Sequence, residues 1–540
     1  MAAAPPSLRR VTLLLAASTG MSRILGYGRD MLLNVAFGAS GDTDIYRASF
    51  AVPDMLNHLV AGGALSASFL PQMSKLYARL DAEAGAEVQQ HAEVDEAFAR
   101  VSSALMTVAF VLVIAAAIFA EPLIARWADG FDVSRVEETA RLTRIVLPAQ
   151  LAFLYGGLIQ ATLLARQRFA ALALTPLLYN TGILVGGGIG ALTGYVEGFS
   201  WGALVGATVG ALIVPLRSAR HSLRPRLQLP GFGPEVRAFF WTALPLMAGV
   251  SLTTVDEWLA VRFGSRVGDG AISWLHSARR LVLVPIALVG SAAGQATGAF
   301  VSRLYAEGKL DQLRSTLGAA LAGVLALSLL LSGFAYAAAE PIVGLLFQHG
   351  RFLRGDTLHT AEALRPMALG IAAWSLQSVL ARGLYAVGDT WRPMIATTVL
   401  TLASLPLYDL LGDRFGIAGL ALAGVLGMAA QAVALIGLSR RAFGLPLAPL
   451  AMALARALPV ALLAGAAAEF AAGDTAAAAL HEAWPALANA PTLGYAVRLL
   501  LALALWAAVA APLALALGLP GVAAVRTKVA ARLRAAGLRI

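Results

Sequence analysis

The chain has 540 residues, 59% of them hydrophobic and only 13% charged, with a mean hydropathy of +0.73. Soluble domains carry about 25% charged residues, so this composition excludes an ordinary water-soluble fold and indicates an all-α, polytopic membrane protein. The absence of cysteine excludes disulfides, thiolate nucleophiles and cysteine metal sites. The net charge of +10 follows the loop bias of membrane proteins, so no nucleic-acid partner is expected.

The N-terminus, with Arg9 and Arg10 ahead of VTLLLAAS, has the look of a signal peptide. Its apolar run instead continues through Met21-Ser22-Arg23 to Phe37 without a small-residue cleavage site, which predicts an uncleaved first helix. Runs of membrane-spanning length give about fourteen spans. They lie near 11–37, 44–79, 100–120, 140–165, 170–193, 199–216, 236–262, 270–305, 313–337, 358–387, 391–410, 416–438, 448–471 and 494–518. A charged hairpin loop runs from Asp81 to Glu96, and a basic linker (Arg217, Arg220, Arg224, Arg226, Arg237) follows the sixth span. The expected organisation is an N-lobe over 1–230, a C-lobe over 231–445, and a last helix pair with a basic tail over 446–540.

Lys and Arg gather on alternate connections: Lys75 and Arg79, Arg166 and Arg168, the linker, Arg303 and Lys309, Arg392, then Arg440 and Arg441. The tail adds Arg526, Lys528, Arg532 and Arg534, while the opposite connections GASGDTD, GYVEGFS, GDRFG and EFAAGDT are poor in them. An even number of spans with both termini cytoplasmic fits this bias. Prolines such as Pro53, Pro148, Pro176, Pro245, Pro285, Pro366, Pro406, Pro459 and Pro512 fall inside spans, as bends or hinges.

The two lobes echo each other. Ser74-Lys75-Leu76-Tyr77-Ala78 recurs as Ser302-Arg303-Leu304-Tyr305-Ala306, and Glu121-Pro122-Leu123-Ile124 as Glu340-Pro341-Ile342-Val343. Gln160, Ala165-Arg166 and Pro176 are matched by Gln377, Ala381-Arg382 and Pro393, all at an offset of about 216–232 residues. Lobes with even numbers of spans share one orientation, so this is a parallel repeat, an arrangement used by transporters.

The stretch Ser22–Pro71 carries Arg23, Arg29, Asp30, Asp44, Arg47 and Asp54 at membrane depth. Each such charge costs ~2.5–3.5 kcal/mol on insertion scales, so it normally faces protein or a wet cavity. Arg23 and Arg29 are about 120° apart on a regular helix. Arg47, Asp54 and His58 share a stripe of the second span; Asp256, Glu257 and Arg262 lie in the seventh, and His276, Arg279 and Arg280 in the eighth. Spans 1, 2, 7 and 8 are expected to form a cationic cavity, because the guanidinium fork suits phosphate. The bland alternative is a set of ion pairs that fix helix packing, for instance Arg23 or Arg29 with Asp44 or Asp54. No Walker loop, GxSxG, HExxH or DxD-type motif appears, so an enzyme is not expected, and the VGGGIGAL run reads as close helix packing.

At SRILGYGRD, FGASGDTDIYRASFAVP and GGALSASFLP, with SWLHSARRLVLVP, EPIVGLLFQHGRF and YAVGDTWRP further on, the sequence resembles the MviN/MurJ family of lipid II flippases. These belong to a superfamily of multidrug and oligosaccharidyl-lipid exporters. The resemblance implies a fourteen-helix inner-membrane flippase for the undecaprenyl-pyrophosphate-linked peptidoglycan precursor, working by alternating access beside the cell wall synthesis machinery. It implies substrate-binding roles for Arg23, Arg29 and Arg280, and matches Asp44 to the family's acidic residue after helix 1. Arg47 and Arg279 are expected helpers, and helices 13 and 14 would take the lipid tail. A family arginine in helix 2 falls at Asn57, its Glu-Gly pair at Gly62-Gly63, and a commonly acidic position at Arg279. No cofactor is expected; coupling to the membrane potential, Na+ or H+ is open, with Asp256 as the candidate cation ligand. Also open are another polyprenyl-linked glycan or a drug as cargo, and, from a different class, an enzyme or scaffold acting with polyprenyl phosphates.

Overall fold

A computed structural model describes residues 8–61, 69–70, 73–77, 87–220, 223–224, 226–229, 231, 233, 236–237, 241, 252–485 and 490–520. Outside the described residues lie Gly62-Gly63, Pro71, Arg79, the start of the loop at Asp81, Pro245 and the tail residues Arg526, Lys528, Arg532 and Arg534. Among the described residues every regular element is helical. Among the described residues nine helices are long and apolar enough to cross a membrane, or ten if one pair bent by 46° is a single span. The chain divides into two compact units, Met1–Gly249 and Val250–Ile540.

In unit 1, α1 is Leu8–Phe37, α2 Gly41–Ala48, α3 Ala51–Ala61 and α4 Glu87–Ile118. A short α5 (Ala120–Trp127) is followed by α6 (Val133–Val146), α7 (Pro148–Ala165), α8 (Ala170–Thr193) and α9 (Glu197–Ala207), which continues through a π turn, Thr208–Ile213, into α10 (Val214–Ala219). Several boundaries differ from the sequence reading. The loop expected from Asp81 to Glu96 is helix from Glu87, where α4 begins in a polar, charged stretch. The second span breaks at Ser49-Phe50, where Thr143 Oγ1 donates to the Ser49 carbonyl at 3.1 Å. The fourth begins at Val133 rather than near 140, because Asp132 caps it by accepting from the Arg135 amide at 2.9 Å. Its charged first turns hide it from a hydropathy reading.

The expected close packing around VGGGIGAL is present. A Cβ on Gly182 would lie 2.5 Å from Gly206 Cα, and one on Gly186 only 2.3 Å from the Gly198 carbonyl oxygen. Helices α8 and α9 thus meet backbone to backbone, as small residues allow in a bilayer, where dispersion rather than the hydrophobic effect drives helix contact. Elsewhere in the unit, buried Phe98 meets Phe69 and Tyr155, each at 6.0 Å between ring centres. Tyr46, Phe37 and Phe50 cluster with Phe199 to fix α1, α2 and α9 together.

Unit 2 contains α11 (Leu252–Gly264), α12 (Ala271–Ile286) with a π turn Ala287–Ser291 leading to α13 (Ala292–Ala306), α14 (Leu310–Ala337), α15 (Ala339–Phe347), α16 (Arg354–Leu369) and α17 (Ile371–Ala386). Then come α18 (Trp391–Phe443), α19 (Ala448–Ala472), α20 (Asp474–Ala483) and α21 (Pro491–Ala516). The 53-residue α18 is two helices joined at Gly416, whose φ of 54° only glycine adopts readily. The tenth span is the bent pair α16–α17.

The sequence repeat is also a structural one. Long α4 breaks at Phe119 (φ −91°, ψ 18°) before short α5, and long α14 breaks at Ala338 (φ −91°, ψ 19°) before short α15. Each Glu-Pro pair sits in the first turn of its short helix, where a carboxylate is favoured by the helix dipole.

Candidate functional site

In unit 1 the candidate residues sit on α1, α2 and α3. Arg23 is exposed on α1. Arg29, one and two-thirds turns on, bends back on its neighbour: its Nε and Nη2 donate to Asp30 Oδ1 at 3.0 and 2.9 Å. Adjacent helix positions do not face each other, so only the long arginine stem makes this pair reachable. Two of the guanidinium's five N–H donors go to Asp30. The register of α1 is set against α8, where Asn180 Nδ2 donates to Ser22 Oγ at 3.1 Å and to the Pro176 carbonyl at 3.0 Å.

Asp44 is buried in the first turn of α2, 1% exposed, with Asp42 in the same turn. Arg47 closes the last turn of α2 and donates to Asn34 Oδ1 of α1 at 3.3 Å. The break at Ser49-Phe50 interrupts the expected stripe of Arg47, Asp54 and His58: Arg47 is buried, and Asp54 and His58 are half-buried on α3. Asn57 is exposed on α3.

In unit 2 the candidates converge across helices. Arg279 of α12 is ion-paired with Asp256 of α11, and its Nε is 3.8 Å from Glu257 Oε1. The phenol of Tyr408, from the first half of α18, donates to Asp256 Oδ1 at 3.2 Å. Tyr408 is buried and lies flat on Phe263, 5.1 Å between ring centres at 18°. Gly424, from the second half of α18, leaves the room this needs, since a Cβ there would lie 3.0 Å from the Tyr408 hydroxyl. Arg280 is half-buried beside this cluster and donates from Nε to His276 Nε2 one turn earlier at 3.2 Å, which fixes that imidazole nitrogen as an acceptor. Among the described residues no group of three or more His, Asp or Glu side chains forms a metal-ion site.

Sequence reasoning missed several of these partners. The ion-pair alternative sets Arg29 against Asp44 or Asp54, whereas its partner is the adjacent Asp30 of the SRILGYGRD run. Tyr408 and Gly424 carry no local signal that ties them to Asp256. A second missed pair is Arg498 of α21 with Glu340 of α15, at 3.0 Å and almost wholly buried. Arg498 also donates to the Ala472 carbonyl, and Tyr495 donates to Gln348 Oε1 at 2.9 Å.

A family model described as Lipid II flippase MurJ matches residues 33–478. A probable lipid II flippase MurJ from Bdellovibrio bacteriovorus is 27% identical over 433 residues, covering 79% of this chain and 81% of the relative. One from Thermotoga maritima is 28% identical over 413 residues (76% and 81%), and the lipid II flippase MurJ of Burkholderia cenocepacia 27% over 460 residues (81% and 84%). Among solved structures, a lipid II flippase MurJ in an inward closed conformation superposes with a TM-score of 0.73 at 20% identity, over 94% of this chain and 99% of that one. An inward-facing multidrug transporter of the MATE family superposes at 0.62 with 16% identity, over 78% and 94%; both likenesses concern the fold.

Proposed function

The chain belongs to the lipid II flippase MurJ family, and from that membership we infer that it is a transporter, not an enzyme, that moves lipid II across the inner membrane for peptidoglycan synthesis. It is a multi-pass inner-membrane protein with both termini in the cytoplasm, and it works by alternating access beside the cell wall synthesis machinery. The observation that carries this reading is the family match over residues 33–478, which includes the acidic Asp44 and the arginines of α12.

The chemistry of the two units supports it. Lipid II presents a pyrophosphate, and a guanidinium donates two parallel hydrogen bonds to such an anion. Arg23 is exposed on α1, and Arg29 is held by Asp30 with other donors of its fork beyond that pair. Arg280, steadied by His276, supplies the corresponding group in unit 2. Arg47 acts more indirectly, since it is buried against Asn34 and ties α2 to α1. The membrane potential assists export of the anionic headgroup by ~2.3 kcal/mol per charge per 100 mV.

The test is replacement of the cell's own flippase. Arg29→Ala and Arg280→Ala are expected to insert normally, fail to support growth, and leave lipid II on the inner leaflet in an accessibility assay. Arg23→Ala follows the same pattern. Normal complementation by all three would overturn the assignment.

A further inference from the structure

Asp256 is the one candidate cation ligand the sequence offers, and in the structure a cation already stands on it. That cation belongs to the protein. The Arg279 guanidinium is ion-paired with one carboxylate oxygen, the Tyr408 hydroxyl donates to the other at 3.2 Å, and both Arg279 and Asp256 side chains are only 12% exposed. Three helices build the place. Asp256 comes from α11, Arg279 from α12, Tyr408 from the first half of α18, and Gly424 from its second half closes against both the phenol and the carboxylate. Just beyond, Arg266 Nη1 and Asp409 Oδ1, at 2.6 Å, tie the end of α11 to the residue after Tyr408.

A small monovalent cation and a guanidinium are equivalent in charge at such a place. Either one neutralises a carboxylate that would otherwise stand uncompensated at bilayer depth, where a lone charge is strongly disfavoured. They differ in that a soluble ion can leave during a transport cycle, whereas a side chain cannot. A soluble ion would also need several oxygen ligands, and the two carboxylate oxygens already face the Arg279 guanidinium and the Tyr408 hydroxyl.

We propose that Arg279 is a tethered cation that occupies Asp256 in place of a soluble coupling ion, so that this chain moves its substrate without taking up Na+ or another small cation at that carboxylate. The word "substrate" rests on the flippase reading above; the occupancy of Asp256 does not. In this view Arg279 positions Asp256 and, through it, Tyr408 and both halves of α18.

The experiment uses the purified full-length chain in lipid nanodiscs, with no lipid II added, melted in Na+ and in N-methylglucamine at equal ionic strength. The wild type is expected to melt at the same temperature in both. Arg279→Gln empties the place, so it is expected to lose several degrees in N-methylglucamine and to regain most of them in Na+ or Li+. Adding Asp256→Asn to that variant removes the response, and Arg279→Lys, which keeps a tethered charge, stays indifferent to the ion. Should Arg279→Gln fail to accumulate, extraction in Na+ against K+ makes the same comparison, and recovery in Na+ alone supports the proposal. A wild type stabilised by Na+ overturns it, as does an Arg279→Gln variant that no alkali cation rescues. Because lipid II is absent, these outcomes stand apart from the leaflet assay, whose failure would strike the flippase assignment alone.

Discussion

The two units build the same corner and neutralise it differently. In unit 1, Glu121 opens α5 and meets Arg144 of α6 at 2.9 Å, with both side chains two-fifths or more exposed. In unit 2, Glu340 opens α15 in the same way but is buried, and its partner is Arg498, which comes from α21, beyond the repeated part of the chain. Arg365, which follows Glu340 at nearly the spacing of Arg144 after Glu121, turns instead towards Glu469 of α19 at 3.8 Å. A sequence repeat thus preserves the acid and its helix break while the base that answers it is reassigned. The reason is coverage: α21 packs on α15, with Gly344 against the Tyr495 ring, and a covered carboxylate needs a covered cation.

That difference has measurable consequences. Arg498→Ala strands Glu340 in the protein interior and is expected to cost ~3–5 kcal/mol, seen as a large fall in melting temperature of the purified chain. If the loss were no greater than for Arg144→Ala, the contrast between the corners would fail. Gly186→Leu comes next. It forces a side chain into the 2.3 Å approach to the Gly198 carbonyl and is expected to destabilise by ~1–3 kcal/mol or more through separation of α8 from α9, read by loss of cross-linking between cysteines placed on the two helices. Arg144→Ala should cost no more than ~1 kcal/mol, because its pair is solvent-screened.

The smallest effect is expected at Glu307, in the turn between α13 and α14. Lys309, at 2.8 Å, and then Arg303, at 2.7 Å, hold its carboxyl down to about 2. A lowered folded value means the contribution is present above the ordinary carboxylate range and lost as pH falls through about 2. Glu307→Gln should therefore melt slightly below wild type at neutral pH and match it in strong acid. Separate curves persisting at the acidic end would contradict this.

Much of the fold was legible because it is written in local chemistry. Apolar runs of spanning length gave the helices, the echoed Glu-Pro pairs gave the repeat, and the glycine run gave the α8–α9 contact. Helix starts hidden under charge were not legible: α6 begins in a polar turn capped by Asp132, and α2 ends at a break that needs Thr143 to stabilise it. The candidate site divides along the same line. Arg23, Arg29, Arg279 and Arg280 declared themselves by being charged in apolar surroundings. Their partners did so only where proximity in space is proximity in sequence, as for His276 with Arg280. Tyr408 is 152 residues from Asp256, and Arg498 is 158 from Glu340, so both pairings are products of tertiary packing that one sequence does not display.

The glycine seam of unit 1 has a mechanical corollary. Two helices whose main chains touch, with the Phe199 ring of one seated on Gly187 of the other, have no room to slide, and a shift of even a fraction of an ångström meets hard carbonyl oxygen. Helices α8 and α9 therefore behave as a single strut. A fluorophore or spin label on either should report identical displacement during turnover, which makes this pair the natural fixed frame against which movement of α1 is gauged.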